Sequence, residues 1–137
     1  MNRAIIVAAI LAAVCMTGCL STAPKPQMGK WVKEIVGTYR GPVTMGTGDV
    51  VKGRTTFRVA PDGALTGEYE LLLPNGPEAP GTLSGFDQVD THVLRCRWRD
   101  KYGAGELQML FTPDRKAFGG VWRYAEDTTW RSWNGTK

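Results

Sequence analysis

The 137 residues include 17 Lys or Arg, 13 Asp or Glu and one His, giving a formal net charge of +4 at pH 7. The basic residues alternate with acidic and apolar residues instead of forming a block, so we expect no nucleic-acid partner. The chain has no CxxC, HExxH or GxSxG motif, so the sequence supports neither a metal centre nor a nucleophilic catalyst. We therefore expect no metal and no cofactor.

The chain begins with a short apolar run that follows a single basic residue. Arg3 is the only charged residue before Lys25, and every residue of 4–16 is apolar. That run has 13 residues, whereas a membrane-spanning helix needs about 20. The pattern predicts the apolar region of a secretory signal peptide.

The apolar run ends in Met16-Thr17-Gly18-Cys19, which resembles the lipobox of bacterial lipoproteins. The resemblance implies that Cys19 is diacylated, that the peptide is cleaved before it and that residues 1–18 are removed. Thr17 and Gly18 supply the small side chains of the motif, while Met16 stands where Leu is usual.

Cys15 and Leu20, which lie on either side of the lipobox motif, also carry predictions. Cys15 and Cys19 could instead form a metal or disulfide pair, but no further Cys or His lies near them in sequence. Val14 is too bulky for the cleavage position, so Cys15 leaves with the signal peptide. By the same resemblance, Leu20 directs the lipoprotein to the outer membrane, facing the periplasm.

The remaining chain divides into a tether and one domain. Residues 19–30, with Pro24 and Pro26, are predicted to be the lipidated Cys and an extended tether. Residues 31–137 are predicted to be a β domain, and the 119 residues left after cleavage allow one hydrophobic core. Only Cys96 remains besides the acylated cysteine, so the domain must fold without an internal disulfide.

The clearest strand pair is the hairpin of residues 55–60 and 64–71, joined by Pro61-Asp62-Gly63. Both strands alternate polar and apolar residues, and the turn carries Gly where positive φ is required. A register with Val59 opposite Leu65 puts Arg54 opposite Glu70 and Arg58 diagonal to Glu68.

The same alternation predicts about eight strands, which an up-and-down antiparallel meander would join into an all-β small barrel or two-layer sheet. Closure is favoured because it removes exposed edges.

A helical turn is predicted at 30–36, with Trp31 and Ile35 on one side. The other predicted strands are 37–43, 82–86, 92–99, 106–111, 118–124 and 128–133. The predicted inward side chains are Tyr39, Phe57, Val59, Leu65, Tyr69, Leu71, Leu94, Trp98, Leu107, Met109, Phe111, Phe118 and Trp122.

Three short stretches resemble known β-proteins. The segments GALTGEY (63–69), AFGGVW (117–122) and VGTY (36–39) resemble strands of avidin-like and other calycin barrels. Residues 102–122 resemble a MORN repeat. MORN units recur about every 23 residues, whereas the similar segments of this chain, APDGALTGEY and TPDRKAFGGVW, are separated by about 53 residues. The calycin resemblance implies a barrel fold, and no ligand residues are carried over from it.

The aromatic residues are the candidate contact residues. Tyr69, Trp98 and Trp122 could line a ligand cavity, although side chains of this size favour a filled interior. Trp130 and Trp133 differ by three, so in a strand they face opposite ways and one of them is predicted outside.

Other chemistry-bearing residues have simpler interpretations. His92 beside Asp87 and Asp90 is interpreted as a strand-start residue, and Glu68 with Glu70 as part of a solvated ion-pair face. Cys96 is interpreted as a buried small apolar residue.

These observations favour a membrane-anchored envelope lipoprotein with a non-catalytic binding or structural role, through loops or an exposed face. Its expected partners are the membrane, through the lipid anchor, and an envelope protein or a small ligand. One alternative is a calycin-like carrier, which predicts a cavity lined by Tyr69, Trp98 and Trp122. A less favoured alternative is an envelope hydrolase, which would require two convergent acids or a His–acid pair in a cleft. The candidates for such a pair are His92, Asp87 and Asp90, and single substitutions of them would have to abolish turnover.

Overall fold

The computed structural model describes residues 28–78 and 80–137. The predicted signal peptide, the lipobox with Cys19 and most of the predicted tether lie outside the described residues. The described part begins with a 3-10 helix at Lys30–Ile35. Nine strands follow: β1 Gly37–Thr44, β2 Val50–Val59, β3 Leu65–Leu73, β4 Gly76–Pro77, β5 Gly81–Asp90, β6 Val93–Asp100, β7 Gly103–Phe111, β8 Ala117–Tyr124 and β9 Arg131–Thr136.

Eight of these strands close into an antiparallel up-and-down barrel. The sheet order is β2-β1-β9-β8-β7-β6-β5-β3-β4, and an additional β2–β3 pairing closes the ring. The two-residue strand β4 is an extra element paired with β3. The predicted all-β meander is therefore confirmed, and it closes as a barrel instead of splitting into two layers.

The predicted hairpin forms in the predicted register. Val59 pairs with Leu65 and Arg54 pairs with Glu70 across β2 and β3. Arg54 forms an ion pair with Glu70, and Arg58 forms one with Glu68 on the outer face of the barrel. The turn between the strands needs glycine because Gly63 has a φ of 84°.

The 3-10 helix covers one end of the barrel, which we call the closed end. This end is where β1 begins and where β2, β5, β7 and β9 finish. Val32 and Ile35 of the helix are buried, because three residues per turn place positions i and i+3 on one side. The sequence predicts Trp31 and Ile35 on one side of the turn, whereas the structure buries Val32 with Ile35 and leaves Trp31 partly buried.

Aromatic side chains fill the closed half of the barrel. The rings of Tyr39, Phe57, Phe111 and Phe118 lie within 5.4–6.4 Å of one another in tilted or edge-to-face pairs. The Arg115 guanidinium lies 4.4 Å from the Trp31 ring centre, and it ties the helix to the β7–β8 turn. The predicted filled interior is thus present at this end.

Several predicted positions need correction. Strands β2 and β5, predicted at 55–60 and 82–86, run over Val50–Val59 and Gly81–Asp90. Val59 was predicted to point inward but is 39 % exposed, because it is the last residue of β2 and lies at the rim. The last strand was predicted at 128–133 but runs over Arg131–Thr136. The Asp127 carboxylate accepts the Thr129 amide at 2.9 Å, so this stretch forms a turn before the strand begins.

Candidate functional site

The opposite end of the barrel holds a cavity of about 300 Å³, which we call the open-end pocket. This volume is at the lower end of small-molecule sites, which measure about 300–1,000 Å³. Its walls are Val43, Met45, Gly46, Thr47, Tyr69, Leu71, Trp98, Asp100, Tyr102, Trp122, Tyr124 and Trp133.

Strand alternation brings the aromatic rings of the pocket together. Tyr69 lies on β3, Trp98 on β6, Trp122 on β8 and Trp133 on β9, each at an inward position of its strand. Trp98 and Trp122 meet edge to face, with ring centres 5.2 Å apart and planes at 88°. Tyr69 and Trp133 meet at 4.6 Å and 73°.

Every indole N–H of these three tryptophans donates a hydrogen bond to the barrel wall. Trp98 donates to the Arg123 carbonyl at 3.1 Å, and Trp122 donates to the Thr44 carbonyl at 2.9 Å. Trp133 donates to the Thr55 hydroxyl at 3.0 Å. Since their polar atoms are satisfied by the wall, the rings stay near it and present mainly carbon to the cavity.

Two glycines provide the space in which these rings lie. A Cβ at Gly81 would stand 2.2 Å from the Tyr69 ring, and one at Gly105 would stand 2.8 Å from Trp98 Nε1. Gly81 is the cross-strand partner of Tyr69, and Gly105 is the cross-strand partner of Trp98. A larger residue at Gly81 would displace the Tyr69 ring, whereas one at Gly105 would clash first with the Arg123 carbonyl oxygen, which lies 1.9 Å from the Cβ position.

The charged group of the open-end pocket is Asp100, at the end of β6. Its Oδ2 accepts the Tyr69 hydroxyl at 2.6 Å, and its Oδ1 accepts the Tyr102 amide at 2.8 Å. Burial, and next the hydrogen bond to Asp100, raise the pKa of Tyr69 well above its ordinary value of 10. The phenol therefore keeps its proton and acts as a donor to the carboxylate.

The mouth of the pocket has its own polar cluster. Tyr102 is half exposed, and its hydroxyl donates to Glu78 at 3.0 Å. Glu78 also forms an ion pair with Lys101, and hydrogen bonding to Lys101 lowers the pKa of the Glu78 carboxyl. This cluster joins the β6–β7 turn to the segment that follows β4.

The structure gathers four of the five candidate contact residues. Tyr69, Trp98, Trp122 and Trp133 all line the open-end pocket. Trp130 does not; it is 40 % exposed, and the Arg123 guanidinium lies 4.8 Å from its ring centre.

Several lining residues were not identified from the sequence. Asp100 and Tyr124 each lie two positions beyond a named tryptophan, so extending the strand alternation by one step would have found both. Met45 and Tyr102 lie between strands, where alternation gives no signal.

The residues of the hydrolase alternative lie elsewhere and have other contacts. His92 Nδ1 lies 2.6 Å from Arg115 Nη1 near the closed end. Asp87 forms an ion pair with Arg95 at 2.8 Å, and Asp90 accepts the amide of the next residue. Each of the three side chains is therefore held by a different partner.

Cys96, the other chemically reactive candidate, is enclosed in the barrel interior. Cys96 is 1 % exposed and unpaired, and burial raises the pKa of its thiol. Within residues 28–78 and 80–137, no three His, Cys, Asp or Glu side chains are grouped closely enough to hold a metal ion. No helix in the same ranges has the length and apolar character to cross a membrane.

Comparison of the chain with protein-family models, with curated proteins and with solved structures gives no significant match.

Proposed function

We propose that this chain is a lipid-anchored bacterial envelope protein whose barrel binds a small, largely apolar molecule in the open-end pocket, without catalysing a reaction on it. The observation that carries the proposal is the cavity of about 300 Å³ lined by Tyr69, Trp98, Trp122 and Trp133. Rings of this kind bury large apolar area and stack on flat groups.

The position of the pocket suits an anchored protein. The described chain enters the barrel at the closed end, where Gly29 donates its amide to the Gln88 side chain at 2.7 Å. The mouth of the pocket is at the other end. With Cys19 acylated, as the lipobox resemblance implies, the mouth would open away from the side on which the tether enters.

The proposal is tested by titrating the purified domain with two small aromatic probes, tert-butylbenzene and phenyltrimethylammonium. We expect at least one probe to change tryptophan emission saturably, because three tryptophans line the cavity. Isothermal titration then compares two variants. Met45→Trp adds bulk to the pocket wall and should abolish binding, whereas Leu110→Trp adds the same group on the outer wall, where Leu110 is 58 % exposed, and should not.

Absence of binding by both probes would contradict the proposal. Equal binding by the Met45→Trp variant and the wild type would place the bound probe outside the pocket, and would contradict it too.

A second candidate is a protein-binding role at the envelope, and one surface favours it. Leu110 on β7 and Val121 on β8 are 58 % and 41 % exposed, on adjacent strands of the outer wall. A pull-down from the native envelope with wild type and with Leu110→Asp tests this candidate. A partner lost on this substitution, with probe binding unchanged, would favour it.

A further inference from the structure

The open-end pocket carries a negative charge and no positive one among its lining residues. Asp100 is the one charged side chain among the twelve lining residues. Within the described ranges, its carboxylate forms no ion pair with any Lys, Arg or His. Its two protein contacts are the neutral donors from Tyr69 and Tyr102. A negative charge at an apolar cavity is therefore left without a cationic counterpart.

The neighbouring cations do not pair with Asp100. Arg99, the residue before Asp100, is exposed on the outer side of β6 and is not a lining residue of the pocket. Lys101, next in sequence to Asp100, forms an ion pair with Glu78. Arg131 lies with its guanidinium carbon 5.2 Å from the Trp122 ring centre, but it pairs with Asp127 at 3.0 Å and is not a lining residue. None of these cations reaches the carboxylate of Asp100.

The aromatic walls add to the same preference. The faces of Trp and Tyr rings are negative, so they attract an ammonium group within about 6 Å of the ring centre. The stacking of Arg131 on Trp122 and Tyr124 shows that rings in this half of the barrel accept a cation. A carboxylate beside several such rings favours a positively charged nitrogen.

Building on the proposed function, we propose that the molecule bound in the open-end pocket is a small free organic cation, an apolar or aromatic body that carries a protonated or methylated amine. The amine would lie near Asp100, and the body would pack among Trp98, Trp122 and Trp133. An anionic molecule would be disfavoured by repulsion from the same carboxylate.

The test compares probes of one shape and different charge. Phenyltrimethylammonium is a cation, tert-butylbenzene is its neutral isostere, and benzenesulfonate is an anion of similar size. For the wild type we expect the cation to bind at least tenfold more tightly than the neutral isostere. We expect no measurable binding of the anion.

Substitution of the carboxylate gives the second arm. Asp100→Asn keeps an acceptor for the Tyr69 hydroxyl and should lower affinity for the cation at least tenfold, leaving affinity for tert-butylbenzene unchanged. Asp87→Asn removes an outer carboxylate paired with Arg95 and serves as the control, with no expected effect. Circular dichroism verifies folding; if Asp100→Asn does not fold, the wild-type probe series decides alone.

The outcomes separate the two proposals. Equal binding of the cation and its neutral isostere would overturn the inference about charge, while the pocket would remain a ligand site. Absence of binding by every probe would overturn the proposed function itself. A stronger response to phosphatidylcholine vesicles than to the soluble cation would overturn the assignment to a free molecule in favour of a lipid headgroup.

Discussion

The hydrogen bond between Tyr69 and Asp100 allows a quantitative test of how the open-end pocket is held together. Tyr69 is 4 % exposed, and its hydroxyl donates to the carboxylate at 2.6 Å. Tyr69→Phe deletes this bond with little change of shape. A hydrogen bond to a charged group contributes about 1.5–3 kcal/mol. Since Asp100 is only partly buried and regains water, we expect the lower value, a loss of about 1.5 kcal/mol.

In thermal unfolding at pH 7, that loss corresponds to a Tm lower by about 6 °C, because a domain near this size shifts by about 4 °C per kcal/mol. Tyr102→Phe is the matched control. It deletes an exposed hydroxyl that donates to Glu78, so its Tm should change by less than about 2 °C.

The pH dependence of this difference follows from the raised pKa of Tyr69. A folded-state pKa above the ordinary value of 10 means that the protonated phenol stabilises the native state. This stabilisation is fully present below pH 10 and declines as pH rises above 10 toward the folded-state pKa. The stability difference between wild type and Tyr69→Phe should therefore shrink above pH 10. An unchanged Tm at pH 7, or a difference independent of pH, would refute the reasoning.

Three other predictions concern the anchor, the first hairpin and the closed end. Cys19→Ala should abolish incorporation of labelled palmitate and membrane retention in the native host; a variant still labelled would contradict the lipobox interpretation. Gly63→Val should lower stability by about 1–2 kcal/mol in urea unfolding, because a β-branched residue resists the φ of 84°; an unchanged midpoint would count against the turn. Arg115→Ala should cost about 2 kcal/mol by losing its stacking on Trp31 and its contact with His92, and should leave probe binding intact. Weakened probe binding by this variant would show that the two ends of the barrel are coupled.

The strand pattern was predictable because its signals are local. The Pro61-Asp62-Gly63 turn and the flanking alternation determine one register, which the Arg54–Glu70 pair satisfies. Closure followed from the number of strands and the cost of leaving edges unpaired. The last strand differs from the prediction because Thr128, Thr129 and Trp130 are residue types that favour strands, while the turn made by Asp127 depends on a side-chain hydrogen bond.

The pocket was only partly predictable because the volume left open inside the barrel depends on hydrogen bonds between residues far apart in sequence. The list of aromatic residues was nearly right, but whether they fill or line the interior depends on where each indole N–H finds an acceptor. Trp122 and Trp133 each bond to a residue 78 positions earlier in the chain. Asp100 lies just beyond the predicted strand 92–99, whereas in the structure it ends β6 and its contact with Tyr69 joins strands β3 and β6, which are separated by β5.

The most direct test of the open-end pocket uses the five tryptophans as reporters, each with one indole N–H resonance in a proton–nitrogen correlation spectrum. On saturation with the tighter-binding of the two aromatic probes, the resonances of Trp98, Trp122 and Trp133 should shift, since these residues line the cavity. Those of Trp31 at the closed end and Trp130 on the surface should stay in place. Shifts confined to Trp31 or Trp130, or no shift at all, would contradict the account.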